Sequence, residues 1–183
     1  MTCQETPLWD SDFCLQVREM ALLNGKEWTP RVNDGETKIE VRKATTYQLP
    51  ARTVQSALYH EIMDSLIDSV PANNIWDFEV YANNDLTAGA EFIRYQPGDF
   101  YRAHTDWGSV YGNRKISVTV QLSDPDEYRG GEMLIYNAPD PGKISQTQGT
   151  ATFFPSWTLH EVKPVMKGER WALVCWFCGP PYC

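Results

Sequence analysis

Histidine is scarce in this chain: its 183 residues include three, His60, His104 and His160. A metal centre built on imidazole has few ways to form from so small a supply, which makes their spacing informative. Basic residues are also in deficit, 16 against 24 acidic ones, for a net charge of −8. That surplus repels a phosphate backbone and argues against a nucleic-acid partner. No apolar run approaches the roughly 20 residues of a bilayer span, and MTCQETPLWD lacks the basic and apolar segments of a signal peptide. The expectations are no membrane partner and a cytoplasmic location. The five cysteines, Cys3, Cys14, Cys175, Cys178 and Cys183, are an odd set gathered at the two ends. Such a set is a poor disulfide framework and suits a reducing compartment. Cys175 and Cys178 have C-x-x-C spacing without a second pair, so inert thiols are expected.

What is present suffices for a packed core: 42% of residues are hydrophobic and 13% aromatic, in a length suited to about one domain. No repeat or linker divides residues 1–183, which read as one domain, monomeric or weakly dimeric, with 1–74 as helical support and 75–178 as a strand-rich core. The first helix is expected over 12–23, with Phe13, Val17, Met20 and Ala21 on one face and Asn24-Gly25 as a left-handed stop. The second follows Pro50. Its apolar residues Val54, Ala57, Leu58, Ile62, Leu66 and Val70 recur at three- and four-residue steps until Pro71 ends the run, and His60 lies off that face. Thereafter IWDFEVY (75–81), AEFIRY (90–95), KISVTVQLS (115–123), EMLIY (132–136), TATFF (150–154) and ERWALVCWF (169–177) read as strands. Turn clusters and no helices separate them, which favours an antiparallel sandwich or barrel in an α+β protein whose helices cover a sheet. Asp124 to Glu127 reads as a turn. The polar loops 105–114, 123–130 and 137–149 are expected to ring the barrel mouth.

In YRAHTDWG, His104 and Asp106 are two apart and project together from an extended chain. His160 in PSWTLHEV supplies a third ligand if its strand lies beside the first. Two histidines and a carboxylate with open positions form the ligand set of non-haem Fe(II) oxygenases. A zinc hydrolase could use the same three residues, and H-x-D alone is common by chance. Arg170, in KGERWALVCWF, has a planar fork suited to a carboxylate. Alternation places Ile116, Val118, Val120 and Leu122 on one face of their strand and Ser117, Thr119 and Gln121 on the other. On the last strand Arg170, Ala172, Val174 and Trp176 share a face, and Trp171, Leu173, Cys175 and Phe177 take the opposite one.

RYQPGDFYRAHTDWG, KISVTVQLSDPDEYRGGEMLIY and GTATFFPSWTLHEVKPVMKGERWALVCWF, in that order over about residues 91–177, resemble the catalytic core of the Fe(II)/2-oxoglutarate-dependent dioxygenases. Within them the chain is most similar to the prolyl 4-hydroxylase-like group, including PKHD-type hydroxylases. The resemblance implies a double-stranded β-helix, a jelly-roll or cupin-like barrel, with the N-terminal helices packed on its major sheet. It implies Fe(II) on His104, Asp106 and His160, and 2-oxoglutarate with its far carboxylate on Arg170, aided by the Tyr95 hydroxyl. Thr119, Gln121 and Trp176 are implied to line the cosubstrate pocket, with Met133 and Val162 at apolar wall positions. O2 is the implied oxidant, and ascorbate an accessory reductant. The implied reaction couples decarboxylation of 2-oxoglutarate to succinate and CO2 with hydroxylation of an unactivated C–H bond, in a prolyl or other residue of a peptide or in a free amino acid. Arg170 stands where collagen-type relatives have lysine, and Gln121 where some have tyrosine. The rival of another class is a non-enzymatic cupin-like metal-binding protein, which has no need to keep the triad, Arg170 and Tyr95 together.

Overall fold

A computed structural model describes residues 3–28, 38–49, 53, 55–81, 90–108, 111–137 and 140–182. In chain order it contains β1 (Gln4–Pro7), α1 (Ser11–Asn24), β2 (Lys26–Trp28), β3 (Arg42–Lys43), β4 (Thr45–Gln48), α2 (Ala57–Asn73), β5 (Glu91–Tyr95) and β6 (Phe100–His104). There follow β7 (Arg114–Gln121), β8 (Tyr128–Gly130), β9 (Met133–Tyr136), β10 (Gly142–Lys143), β11 (Thr150–Pro155), β12 (Leu159–Val162), β13 (Val165–Gly168) and β14 (Arg170–Cys178). A seven-stranded sheet runs β1-β11-β7-β14-β5-β4-β2 and a five-stranded sheet runs β10-β9-β12-β6-β3. Their pairings are antiparallel, as in the short β13-β8 ribbon.

The period-two pattern of β7 and β14 divides the interior into two layers. Ile116, Val118 and Val120 of β7, with Leu122 just beyond its end, join Trp171, Leu173, Cys175 and Phe177 of β14 in a core shared with the helices. Helix α1 contributes Cys14, Val17, Met20 and Ala21, and α2 contributes Ile62, Leu66 and Val70. The helices therefore cover the outer face of the larger sheet, as expected. A second cluster, including Ile93, Tyr95, Tyr101, Met133, Phe154 and Val162, fills the space between the two sheets. Leu66→Ala is expected to lower unfolding stability by about 2–5 kcal/mol in a urea titration, because a fully buried γ-branched side chain leaves a cavity. The same change at Leu23, 82% exposed on α1, should stay within about 0.5 kcal/mol.

Several details correct the sequence reading. Gly25 ends α1 in an extended conformation (φ −76°, ψ 146°), not a left-handed one. Its lack of a side chain serves close packing instead: a Cβ there would lie 2.5 Å from Ala21 O and 2.9 Å from Tyr47 Cβ. Pro71 does not stop α2, which runs on to Asn73. So near the helix end only one backbone bond is forfeited, and the turn closes through Asn74 N to Val70 O (2.8 Å) and Asn73 Nδ2 to Ser69 O (2.8 Å). Val54 lies outside the described residues, and Ala57 is exposed.

Residues 75–81 form no strand. Trp76, Phe78 and Val80 pack on the helix-side core without a partner strand along them, and Asp77 breaks the extended course with φ 54°. The front third is not simply helical either. It supplies β1, β2 and β4 to the larger sheet and β3 to the smaller.

Candidate functional site

The smaller sheet sets two of the three predicted metal ligands side by side. His104 ends β6, and in the antiparallel pairing its Cα partner is His160 of β12. The ring centroids stand 4.2 Å apart. Just after β6 the chain is tied to the β11–β12 turn, where Asp106 N and Trp107 N both donate to Ser156 O (2.9 and 3.0 Å). This clamp turns Asp106 inward: its Oδ1 is 3.6 Å from His104 Nε2 and its Oδ2 is 3.7 Å from His160 Nε2. One ligand atom from each residue lies within 4.8 Å of the others.

The surroundings fix the protonation needed for metal binding. His104 Nδ1 lies 2.8 Å from Arg102 O, and His160 Nδ1 lies 2.8 Å from Thr158 O. A carbonyl only accepts, so each Nδ1 carries a proton, which leaves Nε2 as the ring atom that turns to the cluster. Burial and the nearby His104 push the His160 pKa down to about 4, which keeps it neutral. Burial works to raise the Asp106 pKa. The imidazoles of His160 and His104 beside it and the Ser117 hydrogen bond outweigh it and hold the carboxyl well below the usual range. Two imidazoles and one carboxylate form a donor set that fits a ferrous ion with positions left open.

Ser117 was placed on the polar face of β7 by alternation but not singled out. Its Oγ donates to Asp106 Oδ2 at 2.7 Å and lies 3.0 Å from Ser156 Oγ. Such outer partners orient carboxylate ligands, so Ser117→Ala is expected to weaken divalent metal binding by about 10–100-fold in a metal titration.

The larger sheet supplies the opposite wall. Arg170, 2% exposed, opens β14 opposite Tyr95 of β5 and donates from Nη2 to Gln121 Oε1 at 3.0 Å. Its guanidinium stands 5.4 Å from the Tyr95 ring centroid. No carboxylate of the described residues pairs with it. Gly131 makes room for its stem: φ there is +67°, and a Cβ would fall 3.1 Å from Arg170 Cδ. Burial raises the Tyr95 pKa, so the phenol keeps its proton. The buried unpaired guanidinium, the Gln121 amide and this phenol fit the far carboxylate of a 2-oxo diacid.

One cavity brings these residues together. Its lining includes His104, Asp106, His160, Arg170, Tyr95, Thr119, Trp176, Met133 and Val162. Gln121 reaches it through Arg170. Sequence reasoning missed Tyr101, whose ring stacks on His104 at 3.5 Å, and Arg42, Glu91, Tyr111 and Arg114, which also line the wall. Of the three loops expected at the mouth, only 105–114 supplies described lining residues, Asp106, Tyr111 and Arg114. His60 is exposed on α2. Cys175 is fully buried, its thiol pKa pushed by that burial up to about 12. Asp124 to Glu127 forms a turn closed by Glu127 N donating to Asp124 O at 3.0 Å.

Residues 90–178 match the family described as the 2OG-Fe(II) oxygenase superfamily. A PKHD-type hydroxylase of Picosynechococcus sp. is 41% identical over 86 residues, 46% of this chain and 39% of that protein. Another, of Synechococcus elongatus, is 36% identical over 121 residues, 62% of this chain and 53% of that protein. The chain thus spans about half the length of such relatives or less. Among solved structures, a Trichoplax adhaerens prolyl hydroxylase in complex with a hypoxia inducible factor oxygen degradation domain peptide fragment has a similar fold. It aligns with a TM-score of 0.78 and 17% identity, over 97% of this chain and 83% of that one. The histidine–aspartate–histidine cluster, the facing sheets and these likenesses agree: residues 90–178 carry the match to the 2OG-Fe(II) oxygenase superfamily, the chain is similar in sequence to PKHD-type hydroxylases, and its fold is that of the prolyl hydroxylase structure.

Proposed function

We propose that this chain is an Fe(II)- and 2-oxoglutarate-dependent hydroxylase that oxidises a C–H bond of a prolyl or other amino-acid unit. The observation that carries the proposal is one cavity holding both the three-ligand cluster and Arg170, a buried guanidinium without a carboxylate partner among the described residues. His104, Asp106 and His160 would hold the ferrous ion. When bound, iron and 2-oxoglutarate supply O2-dependent oxidation, yielding succinate, CO2 and a hydroxylated product.

The chain's own residues bind, orient and exclude water. Arg170 and the Tyr95 hydroxyl take the far carboxylate, and Gln121 holds the Arg170 fork in place. Thr119 and Trp176 shape the pocket beside them, while Met133, Phe154 and Val162 keep apolar surface against the site. Ser117 fixes Asp106, and the two backbone carbonyls fix the imidazoles. Ascorbate would serve only to restore ferrous iron between turnovers.

The test is succinate formation by the full chain with Fe(II) and 2-oxoglutarate, in air and under argon. Succinate is expected only when iron, 2-oxoglutarate and oxygen are all present. Product release that needs neither oxygen nor 2-oxoglutarate would establish a hydrolase on the same ligands.

A further inference from the structure

The carboxylate is the one member of the ligand cluster that no strand carries. His104 ends β6 and His160 lies within β12, whereas Asp106 stands in the connection between β6 and β7. Three segments meet to hold it. Asp106 N and Trp107 N donate to Ser156 O, Ser156 N donates to Lys115 O at 2.9 Å, and Ser117 Oγ donates to Asp106 Oδ2. The clamp therefore joins residues 106–107, the turn after β11 and the start of β7.

The side chains beside this clamp, Trp107, Trp157 and Lys115, converge on one residue of a fourth segment. The Tyr182 ring centroid lies 6.0 Å from that of Trp107 and 5.0 Å from that of Trp157, with interplanar angles of 68° and 65°. Both are the edge-to-face arrangement that aromatic rings favour. Lys115 Nζ sits over the same ring, 3.2 Å from its centroid. Lys115 is 5% exposed and pairs with no carboxylate of the described residues, so the ring face answers its charge.

The chain reaches this seat under constraint. Tyr81 N donates to Cys178 O and Gly179 N donates to Asn113 O, both at 2.9 Å. Pro180 and Pro181 then fix two φ angles, which leaves little freedom to lose when Tyr182 docks. Tyr182 itself is 37% exposed and belongs to neither buried cluster. Its contacts serve the clamp and not the core.

We infer that Tyr182 is a positioning residue for the metal centre: its ring bridges the three clamp segments from outside and holds Asp106 where its carboxylate completes the ligand set. This rests on His104, Asp106 and His160 being metal ligands, and adds to them a residue that is itself no ligand. Backbone bonds tie the three segments together, and the ring limits how far they slide. A ligand on a connection needs such support, because a productive site tolerates a misplacement of only about 0.5 Å.

The experiment titrates the full chain anaerobically with Mn(II) by calorimetry, records the paramagnetic resonance spectrum of the bound ion, and follows thermal melting. Tyr182→Ala is expected to weaken Mn(II) binding by about 3–30-fold, less than loss of a direct outer partner of a ligand, and to change the spectrum of the bound ion. Tyr182→Leu, which keeps apolar cover without a ring face, should do the same and gives the reading if the alanine variant does not fold. Tyr182→Phe keeps the ring and should stay within about two-fold of the parent. Leu66→Ala, in the helix-side core, should lower the melting temperature and leave Mn(II) affinity and spectrum unchanged. Parent-like affinity and spectrum in Tyr182→Leu, an equal loss in Tyr182→Phe, or an equal loss in Leu66→Ala overturns the inference. A parent chain that binds no Mn(II) overturns the metal centre and the inference together.

Discussion

Replacing His160 with alanine is expected to abolish oxygen-dependent succinate formation and to weaken divalent metal binding by at least about 100-fold, the upper end of what loss of an outer-shell partner costs. His160 supplies one of three protein ligands, and its Cα pairing with His104 fixes the separation of the two imidazoles. Removing it leaves a bidentate remnant on Asp106 and His104 and opens a buried void against Phe154, whose ring lies 4.9 Å away. An anaerobic Mn(II) titration measures the first effect and thermal melting separates it from unfolding. Metal affinity within a few-fold of the parent chain would remove His160 from the centre.

The second large effect is at Arg170. Substitution by alanine should raise the 2-oxoglutarate concentration needed for half-maximal succinate formation by about 10–150-fold, since a hydrogen-bonded charge pair contributes about 1.5–3 kcal/mol. The loss has two sources. The carboxylate loses its guanidinium, and Gln121 Oε1, held now at 3.0 Å by Arg170 Nη2, is free to swing. Arg170→Lys should recover part of the affinity, because charge returns without the fork. Metal binding should remain, which separates this effect from that at His160. An unchanged 2-oxoglutarate requirement would take Arg170 out of the cosubstrate site.

The parts of this site legible in the sequence are those set by local rules. Alternation along β7 and β14 places Thr119, Gln121, Arg170 and Trp176 inward and Val118, Val120, Leu173 and Cys175 against the helices, since a strand reverses its side chains at every residue. The same rule put Ser117 on the inner face. What singles it out, its bond to Asp106, depends on the tie between residues 106–107 and Ser156, which no local pattern encodes.

Arg42 and Glu91 were invisible for a related reason. Arg42 sits on a two-residue strand whose partner Tyr101 lies far along the chain. The short strands β1 and β2, QETP and KEW, have weak strand character and form by pairing with β11 and β4. Residues 75–81 erred the other way. Their alternating aromatics mimic a strand, yet Trp76 and Phe78 bury their rings on the core from an irregular segment. Tertiary packing rewards the same apolar spacing whether or not a neighbouring strand exists.

The central claim, that this cavity couples 2-oxoglutarate to oxygen on a ligand set of His104, Asp106 and His160, is tested most directly by isotope. The full chain, supplied with Fe(II), ascorbate and 2-oxoglutarate under heavy-oxygen gas over a prolonged incubation, should yield succinate carrying one labelled oxygen atom, and the His160→Ala variant none. Succinate without label, or labelled succinate formed equally by the variant, would contradict it.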